Sequence, residues 1–146
     1  MECVFCDNPL IKERKITENN LAWAFPTNIP ITSGHTLIVP KRHVKNIADM
    51  TIEERVAIFD LAEIIKEVLR KAFGAKGFNI AWNEGKIAGQ SVSHFHLHIV
   101  PRTEGDTGIL EYEPREFLYR PGSREASPEA ELRGVAQQIK SFLQRP

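Results

Sequence analysis

Between residues 94 and 100 the chain reads His-Phe-His-Leu-His-Ile-Val, with histidine and a large apolar residue in strict alternation. Successive side chains of an extended strand point to opposite faces. The pattern therefore predicts a strand over His94 to Val100 with Phe95, Leu97 and Ile99 packed into a core. His94, His96 and His98 would stand on the other face, neighbouring rings about 7 Å apart. Clustered imidazoles are costly in a purely structural role, because each can gain charge near neutral pH. Two uses fit such a row: a metal site made by the strand itself, or nucleophilic and acid–base work on a phosphorus centre.

The remainder of the chain predicts what this strand packs against. Residues 3–14 read as a turn and a short helical piece. Asn19-Asn20 reads as a hairpin turn before an apolar strand, Leu21 to Phe25, and Thr36 to Val39 is a buried strand ended by Pro40. Thr51-Ile52-Glu53-Glu54 is a capping-box pattern. It opens a long amphipathic helix with Ile58, Leu61, Ile65, Val68, Leu69 and Ala72 on its apolar side, ending near Gly74. A further strand is expected over Phe78 to Trp82. These elements predict an α+β fold: about five antiparallel strands with the long helix covering one face. The 146 residues suit one domain, 1–146, with a core over 1–102. The extension 103–146 carries a helix over about 128–144, started by Ser127 and Pro128. Within it, Tyr112, Arg115 and Tyr119 are candidates for contact with a ligand or with a partner surface.

Composition narrows the class of function. Formal net charge is zero, which argues against a nucleic-acid partner, since tracking a phosphate backbone needs a basic surface. No apolar run is long enough to span a bilayer, and residues 1–14 lack a signal-peptide core, so a cytoplasmic protein with no membrane partner is expected. Cys3 and Cys6 form a Cys-x-x-Cys pair. A disulfide closing so short a loop would stabilise little, and in a reducing compartment this spacing suggests metal binding or redox chemistry.

The loop before the histidines favours phosphorus over a catalytic metal. Residues 83–90 read Asn-Glu-Gly-Lys-Ile-Ala-Gly-Gln, followed by Ser91 and Ser93. These supply neutral donors and glycines that let backbone amides approach an anion. Glu84 is the sole carboxylate there, whereas a catalytic metal site usually includes carboxylates. The block from Asn83 through Gln90-Ser91-Val92 to His94-x-His96-x-His98, closing on Pro101-Arg102, resembles the signature of the histidine-triad (HIT) family. Gly34-His35-Thr-Leu-Ile-Val-Pro-Lys-Arg-His43 is similar to that family's other common segment.

The resemblance implies roles residue by residue. His96 takes the place of the nucleophile that attacks an α-phosphorus, giving a nucleotidyl-histidine that water hydrolyses. His98 takes the place of a donor to a phosphate oxygen. Gln90 and Ser91 match positions near the scissile bridge and leaving group, Asn83 a phosphate- or ribose-binding position, and His35 a supporter of His98. Members with the N-terminal cysteine pair bind zinc, which implies structural Zn2+ on Cys3, Cys6, His43 and His94. In one respect the chain departs from the pattern: where many members carry a ribose-binding Asp, it has Thr27, with Asn28 beside it.

The resemblance thus implies a hydrolase of dinucleoside polyphosphates, such as diadenosine polyphosphates, or of nucleoside phosphoramidates. The resemblance also implies a purine nucleotide or dinucleotide as the substrate and a homodimer as the working assembly. His98 stands where a transferase branch has Gln, which favours hydrolysis over a nucleotidyltransferase or phosphorylase. The alternatives are a nucleotide-binding sensor or adaptor with weak catalysis, and a zinc-dependent structural module.

Overall fold

The computed structural model describes residues 2–106 together with 128, 130, 131 and 133. Contacts divide the chain into two compact units, Met1–Ile109 and Leu110–Pro146. In the second, Ala130, Glu131 and Arg133 are helical and the amide of Glu131 donates to the Pro128 carbonyl at 3.1 Å. The rest of the helix expected over 128–144 lies outside the described residues, as do Tyr112, Arg115 and Tyr119.

The first unit is a five-stranded antiparallel sheet in the order β1-β2-β3-β5-β4. Its strands are β1 (Thr17–Glu18), β2 (Ala22–Pro26), β3 (Thr36–Pro40), β4 (Gly77–Ala81) and β5 (Leu97–Arg102). Two short helices, α1 (Val4–Asp7) and α2 (Pro9–Glu13), precede them, and α3 (Ile52–Phe73) connects β3 to β4. The expected hairpin turn is closed by Asn19, whose side-chain oxygen accepts from the amides of Leu21 and Ala22.

Side-chain size sorts the two faces of the sheet. On one face the small Ala22 and Ala24 join Ile38, Phe95, Leu97 and Ile99 beneath Ile58, Leu61, Ala62, Ile65 and Leu69 of α3. Alanine there leaves room for the close approach of a helix. On the other face Trp23, Phe25, Leu37 and Val39 are covered by Cys3, Phe5 and Ile11 from the N-terminal segment. Helix α3 begins in the expected capping box: Thr51 accepts from the Glu54 amide at 3.1 Å and the Glu54 carboxylate accepts from the Thr51 amide at 3.0 Å. It ends at Gly74 in the left-handed region, φ 66°. Val68 and Ala72, expected on the buried side, are exposed. Val68 lies about 100° round the helix from Leu69, and Ala72 falls in the last turn.

The strand predicted from His94 starts instead at Leu97. Its partner β3 ends at Pro40, which has no N–H to offer a ladder, and the last β3–β5 pair is Ile38 with Leu97. Upstream, the Phe95 amide donates to the Val44 carbonyl at 2.7 Å. The alternation nevertheless continues through the unpaired residues: Phe95 joins the core under α3, while His94 and His96 contact Phe5 on the opposite face. That face, between the sheet and the N-terminal helices, carries the site.

Candidate active site and metal centre

Four of the five histidines have their ring protons assigned by their neighbours. His94 Nε2 donates to the Pro40 carbonyl at 2.8 Å, leaving Nδ1 as an acceptor. His96 Nδ1 donates to the His94 carbonyl at 2.9 Å, leaving Nε2 unprotonated. The amide of Ile31 donates to His35 Nδ1 at 3.0 Å, so His35 carries its proton on Nε2. That proton goes to His98 Nδ1 at 3.0 Å, which makes His98 Nε2 the proton-bearing atom. The loop of residues 31–35 thus reaches His98 through one ring and fixes it as a donor. The His96 and His98 rings stand 5.1 Å apart, one presenting a lone pair and the other a proton.

Burial keeps these rings neutral. It pushes His35 and His98 down to about 4, His98 being lowered further by His96 and His35. It also lowers His96, against the opposing pull of the His94 carbonyl. At neutral pH the site therefore offers an unprotonated nitrogen beside a neutral N–H donor, the pairing that attack on an anionic phosphorus requires.

His96 and His98 line a cavity of about 570 Å³ together with His35, Thr27, Asn28 and Ser91. That volume lies in the range of small-molecule sites. Apolar walls come from Phe5, Leu10, Ile11, Phe25, Ile29 and Leu37. Two other expected site residues are placed differently. Gln90, buried, accepts from the Gly85 amide at 2.9 Å and donates to the Lys45 carbonyl at 3.0 Å. Asn83 donates to the Gly89 carbonyl at 3.3 Å. Neither is among the cavity-lining residues; both hold the glycine loop in shape. Sequence reasoning in turn missed Phe5, Asn8, Leu10 and Arg14, which α1, α2 and the residue following each of them bring to the cavity. The short apolar spacing of residues 4–11 was the available signal.

His94 faces away from the cavity into a second cluster. The ligand atoms of Cys3, Cys6, His43 and His94 all lie within 4.8 Å of one another. His94 Nδ1 is 3.4 Å from Cys3 Sγ and 3.5 Å from Cys6 Sγ, and His43 Nδ1 is 3.7 Å from Cys6 Sγ. In a tetrahedral site with ordinary metal–sulfur and metal–nitrogen bonds, the sulfur–nitrogen edge is about 3.6 Å. The residues fit a metal ion, and both cysteines are free of disulfide. Burial and the neighbouring Cys3 thiol push Cys6 up to about 11, so without a cation the Cys6 thiol resists ionisation. The bond from His94 Nε2 to Pro40 turns the ring so that its lone pair faces the two sulfurs, a second contact of the kind that orients metal ligands.

The arrangement has relatives. Residues 8–105 match the HIT domain. The chain is 33% identical over 114 residues to adenosine 5'-monophosphoramidase hnt1 of Schizosaccharomyces pombe, covering 75% of this chain and 80% of that protein. It is 33% identical over 120 residues to a bis(5'-adenosyl)-triphosphatase of Dictyostelium discoideum, covering 82% and 77%. Among solved structures, a member of the HIT family from Bacillus subtilis superposes with TM-score 0.70 at 28% identity, covering all of both chains. These matches lie across the same histidines, sheet and helix described above, and by them the chain belongs to the HIT-domain family.

Proposed function

We propose that the protein hydrolyses a nucleotide at its α-phosphate, through a covalent intermediate on His96. The observation that carries the reading is the pair of opposite tautomers in one cavity: a lone pair on His96 Nε2 and a proton on His98 Nε2. In the first step the His96 lone pair forms a bond to the α-phosphorus and the bond to the leaving group breaks. The electron pair leaves with that group, which takes up a proton. The His98 N–H donates to a non-bridging phosphate oxygen as charge builds there. Water then attacks the phosphorus, releases a nucleoside 5'-monophosphate and returns His96 to its starting state. Ser91 lines the cavity and stands near the leaving group, while Thr27 and Asn28 face the nucleoside.

The substrate class is a purine nucleoside phosphoramidate or dinucleoside polyphosphate, in keeping with the activities named for the two enzyme relatives. Cys3, Cys6, His43 and His94 hold Zn2+, which supplies a structural tie between the N-terminal segment and the histidine strand. The assembly is a homodimer. Supporting this, α3 carries a second apolar stripe, Ile52, Val56 and Phe59, exposed at 72%, 53% and 43%. No helix among the described residues is long and apolar enough to cross a membrane, and the two free thiols suit a reducing, cytoplasmic setting. The catalytic unit is the triad core within residues 2–106.

The test is release of nucleoside monophosphate from a panel comprising adenosine 5'-phosphoramidate, diadenosine triphosphate and diadenosine tetraphosphate. Turnover of at least one, lost in His96→Asn, supports the reading. Tight binding of AMP without turnover of any would favour a nucleotide sensor.

A further inference from the structure

Among the described residues, no Asp or Glu lines the cavity of His96 and His98, and its one formally charged side chain is Arg14. Arg14, half-buried, uses Nε to donate to the Pro26 carbonyl at 2.9 Å. Its two Nη groups have no partner among the described residues, so one edge of the guanidinium is tied down and its other donors remain for a ligand. Pro26 immediately precedes Thr27 and Asn28, which also line the cavity. The Thr27 hydroxyl oxygen accepts weakly from the Ile29 amide at 3.4 Å, which leaves its proton for donation.

A ribose with free 2' and 3' hydroxyls presents proton donors, and a carboxylate is the group that best accepts from them. Dinucleotide sites of the doubly wound α/β fold show the two solutions: a carboxylate holds a free ribose 2'-hydroxyl, and a nearby arginine accommodates a ribose 2'-phosphate. Planar guanidinium donors match phosphate oxygens in two parallel bonds, which a hydroxyl cannot accept as well. Here the lining next to Thr27 offers donors and a positive charge, with no carboxylate to oppose them.

We infer that the nucleotide taken by this site bears a second phosphate on its ribose, at the 2' or 3' oxygen, and that Arg14 binds it. The inference rests on the reading that the nucleoside faces Thr27 and Asn28 with its 5'-phosphate at His96. It narrows the substrate class of that reading to nucleotides with a further phosphate on the ribose, for which the plain adenosine compounds are weaker stand-ins. A 5'-phosphate at the histidines and a ribose phosphate at Arg14 place the two anionic groups of one nucleotide against the two donor sets of the cavity.

The experiment is calorimetric titration with AMP, adenosine 2',5'-bisphosphate and adenosine 3',5'-bisphosphate at one fixed ionic strength. In the wild-type protein one bisphosphate is expected to bind about tenfold or more tighter than AMP, the effect of gaining charge-assisted hydrogen bonds. In Arg14→Gln the ratio of the two affinities should fall to about one, and Arg14→Lys should retain part of it. The ratio is internal to each variant, and AMP binding reports that the variant is folded. Equal or tighter binding of AMP by the wild-type protein overturns the inference. So does a bisphosphate preference that survives in Arg14→Gln, the result expected if the arginine merely stacks on the base. If AMP binds and adenosine 5'-phosphoramidate is turned over with no bisphosphate preference, only this inference falls. If no nucleotide binds, the hydrolase reading falls with it.

Discussion

Replacing His35 by alanine tests the hydrogen-bond chain that prepares His98. His35 is 3% exposed and joins the Ile31 amide to His98 Nδ1 through two 3.0 Å bonds. The substitution leaves one part-buried donor and one part-buried acceptor without partners. Each costs about 1–3 kcal/mol where water cannot replace the lost ring, and less here because the cavity admits water. A loss of about 2–4 kcal/mol in stability is therefore expected. The catalytic effect is separate. Without the His35 proton, His98 is free to move its own proton to Nδ1, and its Nε2 ceases to donate. Losing one donor to a developing phosphate charge costs about 10²–10³ in rate, and partial retention of the correct tautomer makes that an upper bound. Turnover of adenosine 5'-phosphoramidate should fall in kcat with little change in KM. Nitrogen-15 NMR of the ring nitrogens should show His98 protonated on Nε2 in the wild-type protein and mixed in the variant. His35→Gln, whose amide can both accept and donate, should recover part of the rate. A wild-type spectrum with the His98 proton on Nδ1 would refute the reasoning outright.

Acid should destabilise the protein through the same rings. Burial holds His35 and His98 at about 4 in the fold, against about 6.5 in the unfolded chain. Between those values the unfolded state binds more protons, so stability is full above about pH 6.5, falls as pH is lowered and levels off below about 4. Urea titrations at a series of pH values should show this slope, and His35→Ala should flatten it. Gly34→Ala combines two penalties: φ is +93°, and an added Cβ would meet the Phe73 ring at 2.9 Å and Leu69 at 3.1 Å. A cost of about 1–3 kcal/mol in chemical denaturation is expected. Thr51→Ala removes one half of the capping box of α3 and should lower stability by about 1 kcal/mol, seen as a lower melting temperature. Cys6→Ser should lower the zinc content measured by mass spectrometry and the melting temperature together, and a strong chelator should do the same to the wild-type protein.

The sequence made some of this legible and hid the rest for physical reasons. A period of two is a local property, so the facing of His96 and His98 away from Phe95 and Leu97 was readable without any partner strand. Where that strand begins depends on what pairs with it. Pro40, more than fifty residues earlier, stops the ladder at Leu97, and no local pattern carries that information. The ends of α3 were readable because Thr51 and Gly74 act within one turn of their own chain. Which flank of α3 meets the sheet was less so, and Val68 is exposed although its type and spacing fit the apolar side. The cluster of Cys3, Cys6, His43 and His94 joins four residues spread over ninety positions of chain. It came into view through resemblance, since a Cys-x-x-Cys pair alone names no partners. The placement of Gln90 shows the opposite limit. Its amide suits a ligand contact, yet both ends are taken by the Gly85 amide and the Lys45 carbonyl, a pairing that only the folded chain displays.

The central claim is that His96 Nε2 bonds to phosphorus during turnover, and rapid quenching with a labelled substrate addresses it most directly. Mixing enzyme and adenosine 5'-phosphoramidate labelled with phosphorus-32 at the α-position, then quenching in alkali within the first turnover, should trap label on the protein. That label should be stable to base, be released by acid as AMP, and map to the peptide containing His96. If single-turnover hydrolysis runs to completion with no labelled protein at any time, or His96→Asn labels and turns over as the wild-type protein does, the account is contradicted.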